Sequence, residues 1–337
     1  MSFHNLSISV LKVGRQMVGS LAIAAFFSGC IAEETPVPTH QAGDVITTAV
    51  EMGTDYRWQL YFNLEKNIIV SRNLKTDWDL AFDANPNGNM VRLNSGKFMF
   101  GLNTKKQYFN EITDTLGFAQ NKRWDAANSP DSLVLGNKYN EKVYLLDLGY
   151  DEKSNALGFK KIKMIYANRE KYVLQYANLQ DSIFQTVEIQ KDTNYNYTYF
   201  SFKTNATVRV EPPKKDWDLA FTQYIHIFYE PYQPYLVTGV LLNTCQTYAA
   251  MDSIQFKFEN IDYKQAVSFP LTNKWDAIGY SWKSFGGFGN ATGNYQVFSN
   301  YNYVIKDSKS MLYKMRFIGF YDDQGRKGNP KFEFRRL

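Results

Sequence analysis

Asp77-Trp-Asp-Leu-Ala-Phe82 returns letter for letter as Asp216-Trp-Asp-Leu-Ala-Phe221. Upstream of the two copies lie matching segments, Tyr61-Phe-Asn-Leu-Glu-Lys-Asn-Ile-Ile-Val70 and Tyr199-Phe-Ser-Phe-Lys-Thr-Asn-Ala-Thr-Val208. Downstream, Asn121-Lys-Arg-Trp-Asp-Ala126 is echoed by Asn273-Lys-Trp-Asp-Ala277. Words and order are both shared, so the body of the chain is an internal duplication. The division falls near Lys191, which gives an N-terminal domain at 45–190, the more diverged copy, and a C-terminal domain at 191–337.

Both copies read as strands. Lys142-Val-Tyr-Leu-Leu146, Thr198-Tyr-Phe-Ser-Phe202 and Tyr313-Lys-Met-Arg-Phe-Ile-Gly-Phe-Tyr321 are rich in aromatic and β-branched residues, which suit a pleated, half-buried surface. Turn formers punctuate them, as in Asn85-Pro-Asn-Gly88 and Asp322-Asp-Gln-Gly325. No long stretch keeps a helical period. The expected fold is all-β, mainly antiparallel, in two tandem domains. Strand alternation through the repeated motif predicts Trp78, Leu80 and Phe82 on one face and Asp77, Asp79 and Ala81 on the other. Two carboxylates about 6.5 to 7 Å apart along a strand have the spacing of a calcium site or an acid/base pair. The reading adopted is structural: they pair with lysine or accept backbone hydrogen bonds, since no convergent partners accompany them.

The first thirty residues carry Lys12 and Arg15 ahead of the apolar run Met17–Phe27. That run is too short to span a bilayer and reads as a sorting signal, 1–29, removed on export. It ends in Phe27-Ser28-Gly29-Cys30, which resembles the lipobox of bacterial lipoproteins and makes Cys30 the expected lipidated N-terminus. Residues 30–44 are polar and contain Pro36 and Pro38, as an extended tether requires. With Cys30 acylated, Cys245 has no partner for an intramolecular disulfide and is expected to be a buried small hydrophobe. Losing the signal takes two of the 38 basic residues and none of the 33 acidic ones. The near balance argues against a nucleic-acid partner and leaves the lipid as the only membrane contact.

The C-terminal half, from Tyr197-Thr-Tyr-Phe-Ser-Phe202 through Lys215-Asp-Trp-Asp-Leu-Ala-Phe221 to Gly293-Asn-Tyr-Gln-Val-Phe298 and Tyr313–Tyr321, resembles the HmuY family of secreted haem-binding lipoproteins. The N-terminal half resembles it as a diverged copy. The resemblance implies an almost all-β twisted fold, an outer-membrane location facing the cell surface or, alternatively, the periplasm, haem as the ligand for iron acquisition, and an outer-membrane receptor as partner. It also implies paired side chains on the haem iron, two His in one group of relatives and Met in others. Where the family places a ligand, this chain has Ser284-Phe-Gly-Gly-Phe-Gly-Asn-Ala-Thr-Gly293, with neither His nor Met.

His226 is the only histidine beyond the tether. It lies in Gln223-Tyr-Ile-His-Ile-Phe-Tyr-Glu-Pro-Tyr-Gln-Pro-Tyr235, whose counterpart in the first repeat is the unrelated Asp83-Ala-Asn-Pro-Asn-Gly-Asn89. On a continuing strand Tyr224 and His226 share a face, and His, Tyr and Met are all competent haem ligands. His226, Tyr224 and Met251 are therefore the candidate ligands, with Met311 and Met315 as further thioethers that also suit core filling. No nucleophile elbow, metalloprotease motif or phosphate loop occurs, so a non-catalytic binding role is expected. The alternative to haem capture is a binding or scaffold surface for glycan, peptide or a partner lipoprotein. A deep slot at His226 favours the first, an exposed aromatic patch the second. The first repeat, lacking the aromatic segment, is expected to be structural.

Overall fold

The computed structural model describes residues 42–137, 141–286 and 293–337. Cys30, the signal, most of the tether and the glycine-rich stretch 287–292 lie outside the described residues. The all-β expectation holds: strands pair antiparallel, and among the described residues the α-helices Phe118–Asn121 and Tyr263–Ala266 span four residues each. Gln41–Leu337 forms one compact unit.

The two repeats exchange their leading hairpins. In the first repeat the strands Trp58–Asn63 and Ile68–Leu74 form a hairpin, yet Leu60, Tyr61 and Phe62 pair with Phe221, Ala220 and Leu219 of the second repeat. Reciprocally, the second-repeat hairpin of Tyr197–Ser201 and Ala206–Val208 lays Tyr199 and Phe200 against Ala81 and Leu80 of the first. Corresponding residues meet in the same register at both places. The start of the first repeat and the end of the second also join, Ile46–Ala49 adding to the strand Lys327–Arg336 as the edge of a five-stranded sheet. The sequence boundary at 190/191 is thus crossed by the sheets themselves.

The cores follow the exchange. One contains Leu60, Phe62 and Leu64 among second-repeat residues such as Phe221, Trp282, Phe317 and Phe332. The other contains Phe200 and Phe202 among first-repeat residues such as Leu80, Phe82, Tyr144 and Tyr172. A third cluster lies where the halves meet. There Tyr61 packs edge-on to Trp217 at 4.8 Å and Tyr199 to Trp78 at 4.9 Å, each pair an aromatic contact worth about 0.5–1.5 kcal/mol beyond its burial.

The repeated aspartates fasten the exchanged hairpins. The Asp79 amide donates to Phe200 O at 2.8 Å, and its carboxylate accepts from Phe202 N–H at 2.6 Å. The Asp218 amide donates to Phe62 O at 2.9 Å, and its carboxylate accepts from Leu64 N–H at 2.8 Å. Asp77 closes its own turn by accepting from Leu74 N–H. The structural reading of the carboxylates therefore stands, but the expected facing of Trp78 does not. Asn94 holds the Lys75 and Trp78 carbonyls in a turn, so the strand begins only at Leu80 and strand alternation does not extend back to Trp78. Trp78 joins Ala81 at the junction while Leu80 and Phe82 enter the first-repeat core. Cys245, expected to be buried, is exposed; it sits in the turn after Leu242, where its amide donates to Asn243 Oδ1.

Candidate functional site

The repeats diverge most at the end of the Asp-Trp strand. In the first, the strand stops at Asp83 and a loop through Asn85-Pro-Asn-Gly88 leads to the short partner Val91–Leu93. In the second, the strand runs on from Leu219 to Tyr229, turns at Glu230-Pro231 and returns over Tyr232–Leu242. The aromatic segment present in one copy only is this extended hairpin.

The two faces of the hairpin differ. On one, Ile225 and Ile227 pack with Trp124 and Ala126 of the first repeat. That contact is fastened by Ala127 N–H to Ile225 O at 3.0 Å and by Asn128, which bonds both the carbonyl and the amide of Ile227. The other face carries Tyr224, His226 and Phe228, with Tyr235 directly across from His226. The His226 ring lies 5.0 Å from those of Phe228 and Tyr280, edge-on to both. Tyr224 is fully buried, whereas Phe228 is 41% and Tyr235 56% exposed. The face therefore grades from a closed base to an open aromatic end.

Burial holds the His226 imidazole below its ordinary pKa, and the Asp276 carboxylate opposes that. Burial also pushes the Tyr224 hydroxyl well up, with Asp276, Tyr280 and Tyr303 adding to it. Among the described residues, His226 Nδ1 and the Tyr224 hydroxyl are buried without a hydrogen-bond partner. An unpaired buried polar atom costs about 1–3 kcal/mol, so the base of this face carries unmet hydrogen-bonding capacity.

Of the residues singled out in the sequence, Tyr224 and His226 come together on one face, as strand alternation requires. Met251 does not join them: it lies on Tyr248–Asp252 of the five-stranded sheet, opposite Tyr303, and is 46% exposed. Met315 is fully buried in the second-repeat core and Met311 packs against it. Sequence reasoning missed Tyr280 and Asp276, which reach His226 from the repeated Asn273–Ala277 motif and the turn after it. The repetition marked that motif, but nothing local tied it to the hairpin.

Together the fold and this face define a duplicated antiparallel β protein with an aromatic hairpin on one side. The chain belongs to the HmuY protein family, whose model matches residues 55–194 and again 192–334. Among solved structures it is similar to apo PinO from Porphyromonas gingivitis, at 10% identity over 87% of this chain and 97% of that one, with a TM-score of 0.29. It is also similar to the apo HmuY analog TFO of Tannerella forsythia, at 9% identity over 88% of this chain and 99% of that one, with a TM-score of 0.32. No curated protein matches the chain.

Haem gripped from both sides needs two donors converging across a slot. The Tyr224 hydroxyl is buried and Met251 stands on another sheet, so the expected residues do not supply that pair. What they fit is one imidazole beside an open aromatic surface. Among the described residues no cluster of three or more His, Cys, Asp or Glu is placed to hold a bare metal ion, and no helix is long and apolar enough to cross a membrane.

Proposed function

We propose that the chain is a non-catalytic binding protein of the cell envelope, anchored to the outer membrane through a lipid on Cys30, that captures haem on the hairpin face around His226. The observation that carries this reading is the half-buried imidazole, its Nδ1 unpartnered, bordered by Tyr280 and the exposed rings of Phe228 and Tyr235. Exposed rings offer a flat apolar ligand the stacking area it needs. His226 would be the axial donor from this side, and Asp276 the nearby charge that favours its protonated form when no iron is bound. Family membership supports haem over other flat ligands, and an outer-membrane receptor is the partner that would take the cargo on.

A second reading rests on the openness of the same face: a docking surface for a glycan, peptide or partner lipoprotein, with the fold kept and iron ligation lost. Haemin titration of the full chain separates the two. A saturable Soret shift, lost in His226→Ala and weakened in Phe228→Ala, is the expected result. An unshifted Soret band moves the assignment to the docking surface. The anchor is checked by membrane fractionation, where Cys30→Ala is expected to release the protein into the soluble fraction.

A further inference from the structure

We propose that the first repeat carries a binding site of its own, a groove for an acidic saccharide that opens beside the tip of the second repeat's hairpin. The groove holds about 860 Å³, within the range of ligand-binding clefts. Its lining combines apolar residues such as Leu102 and Leu133 with Asn121 and Asn137, and includes Lys105 and Arg123. A sugar ring presents the same combination, C–H faces and hydroxyls. Side-chain amides both donate and accept, as vicinal hydroxyls require.

The charge on the groove is what makes the ligand acidic. Lys106 next door is paired with Glu111 at 3.7 Å, but among the described residues neither Lys105 nor Arg123 has an ion-pair partner. Asp131 is the one acid on the wall among the described residues. Lys105 is held at a φ of 61°, in the left-handed region, by its amide bond to Asn103 Oδ1 at 2.8 Å. Strain of this kind in a non-glycine residue persists where the surroundings enforce it, and it collects at ligand sites. An exposed guanidinium offers a carboxylate or sulfate two parallel hydrogen bonds.

The hairpin supplies the missing stacking surface. Tyr229 and Tyr232 face each other across its turn, 6.3 Å apart and 59% and 56% exposed. They lie on the face opposite His226. Trp124, next to Arg123, packs against Ile227 near the hairpin tip, and the Arg123 cation is close enough to pull down the Tyr232 hydroxyl, which burial and the neighbouring Tyr229 push up. One ligand can therefore stack on the tip, pair its acid group with Arg123 and run into the groove.

The full chain on an array of neutral, uronic-acid, sialylated and sulfated oligosaccharides tests this. Acidic members are expected to bind and their neutral counterparts to be at least about tenfold weaker, with Arg123→Ala losing about tenfold or more of the affinity. Tyr232→Ala should weaken binding less, added salt should weaken it throughout, and His226→Ala should leave it unchanged. Because Arg123 is exposed, the melting temperature of Arg123→Ala should match wild type. Equal binding of neutral and acidic sugars, failure of all acidic members, or indifference to Arg123→Ala overturns the proposal. Since haemin binding is lost with His226 and saccharide binding with Arg123, neither proposal's failure can be mistaken for the other's.

Discussion

Asp79 and Asp218 occupy the same place in two copies of one motif, clasp the exchanged hairpins with the same backbone hydrogen bonds, and are neutralised differently. Asp79 forms a buried ion pair with Lys97, both side chains less than 5% exposed. Among the described residues Asp218 has no such partner, and burial raises its pKa to about 7 against the Leu64 amide hydrogen bond, with Asp307 and Glu65 adding to the shift and Lys309 also opposing it. The duplication preserved the geometry that joins the halves while letting the electrostatics drift. Geometry is shared by both halves at once, whereas a counter-ion serves one.

The strongest way to break the comparison is to separate the copies. A second repeat produced alone, residues 192–337, keeps its own hairpin but loses Leu60, Phe62 and Leu64 from its core. It should fail to form a folded monomer, and any folded material should be a dimer that restores the exchange reciprocally. Light scattering after size exclusion, with circular dichroism, reads this directly. A compact, cooperatively unfolding monomer would mean that the exchange is optional.

Next in size are the clasps. Asp79→Asn leaves the Lys97 ammonium buried without its carboxylate, and breaking a buried pair by removing one partner costs about 3–5 kcal/mol. Asp218→Asn keeps an oxygen for Leu64 N–H and relieves the nearby carboxylates, so it should stay within about 1 kcal/mol of wild type. Urea denaturation of the two variants, identical in chemistry and position, measures how far the copies have parted. Equal losses would erase the distinction.

A smaller effect sharpens the same point. Because Asp218 titrates near 7 in the folded protein and near its ordinary carboxylate value when unfolded, the native state holds the extra proton between about pH 4 and 7. Stability should therefore rise as pH falls through that window and be lost as pH rises through 7. Glu211, raised to about 7, and Asp125, raised to about 6, both by burial, contribute in the same direction. The difference between wild type and Asp218→Asn isolates one carboxyl, and its denaturation midpoint should change with pH in the wild type more than in the variant. A variant with an unaltered pH slope would show that Asp218 stays ionised.

The sequence made the repeat, the strand class and the one-sided aromatic insertion legible, because each is written in local pattern. The exchange was not. The two hairpins and the two Asp-Trp strands are near copies, so either hairpin satisfies either strand, and residue identity cannot say which pairing closes. Connection geometry decides that, and it appears only when the chain is folded. The candidate site was half legible for the same reason. Alternation put Tyr224 and His226 on one face, but Tyr280 and Asp276 come from some fifty residues further on, and Met251 was a wrong neighbour because its strand belongs to another sheet. Cys245 was misjudged from residue type, which ranks free cysteine among buried residues and carries no information about a turn.

The smallest expected effect on folding bears most on function. Phe228 and Tyr235 are large apolar rings held in water on a hairpin whose opposite face already anchors it through Ile225 and Ile227. If the rings served the fold, replacing them by alanine would destabilise it as core truncations do, by about 3–5 kcal/mol. About half of each ring's area stays exposed, so Phe228→Ala and Tyr235→Ala should each cost about 1 kcal/mol or less, whereas Ile227→Ala should cost about 2–5 kcal/mol. Thermal melts of the three variants compare the faces of one hairpin as the aspartates compare the repeats. A much smaller fall in melting temperature in the first two than in the third, with ligand binding lost, would separate the residues that keep this protein folded from those that give it something to hold.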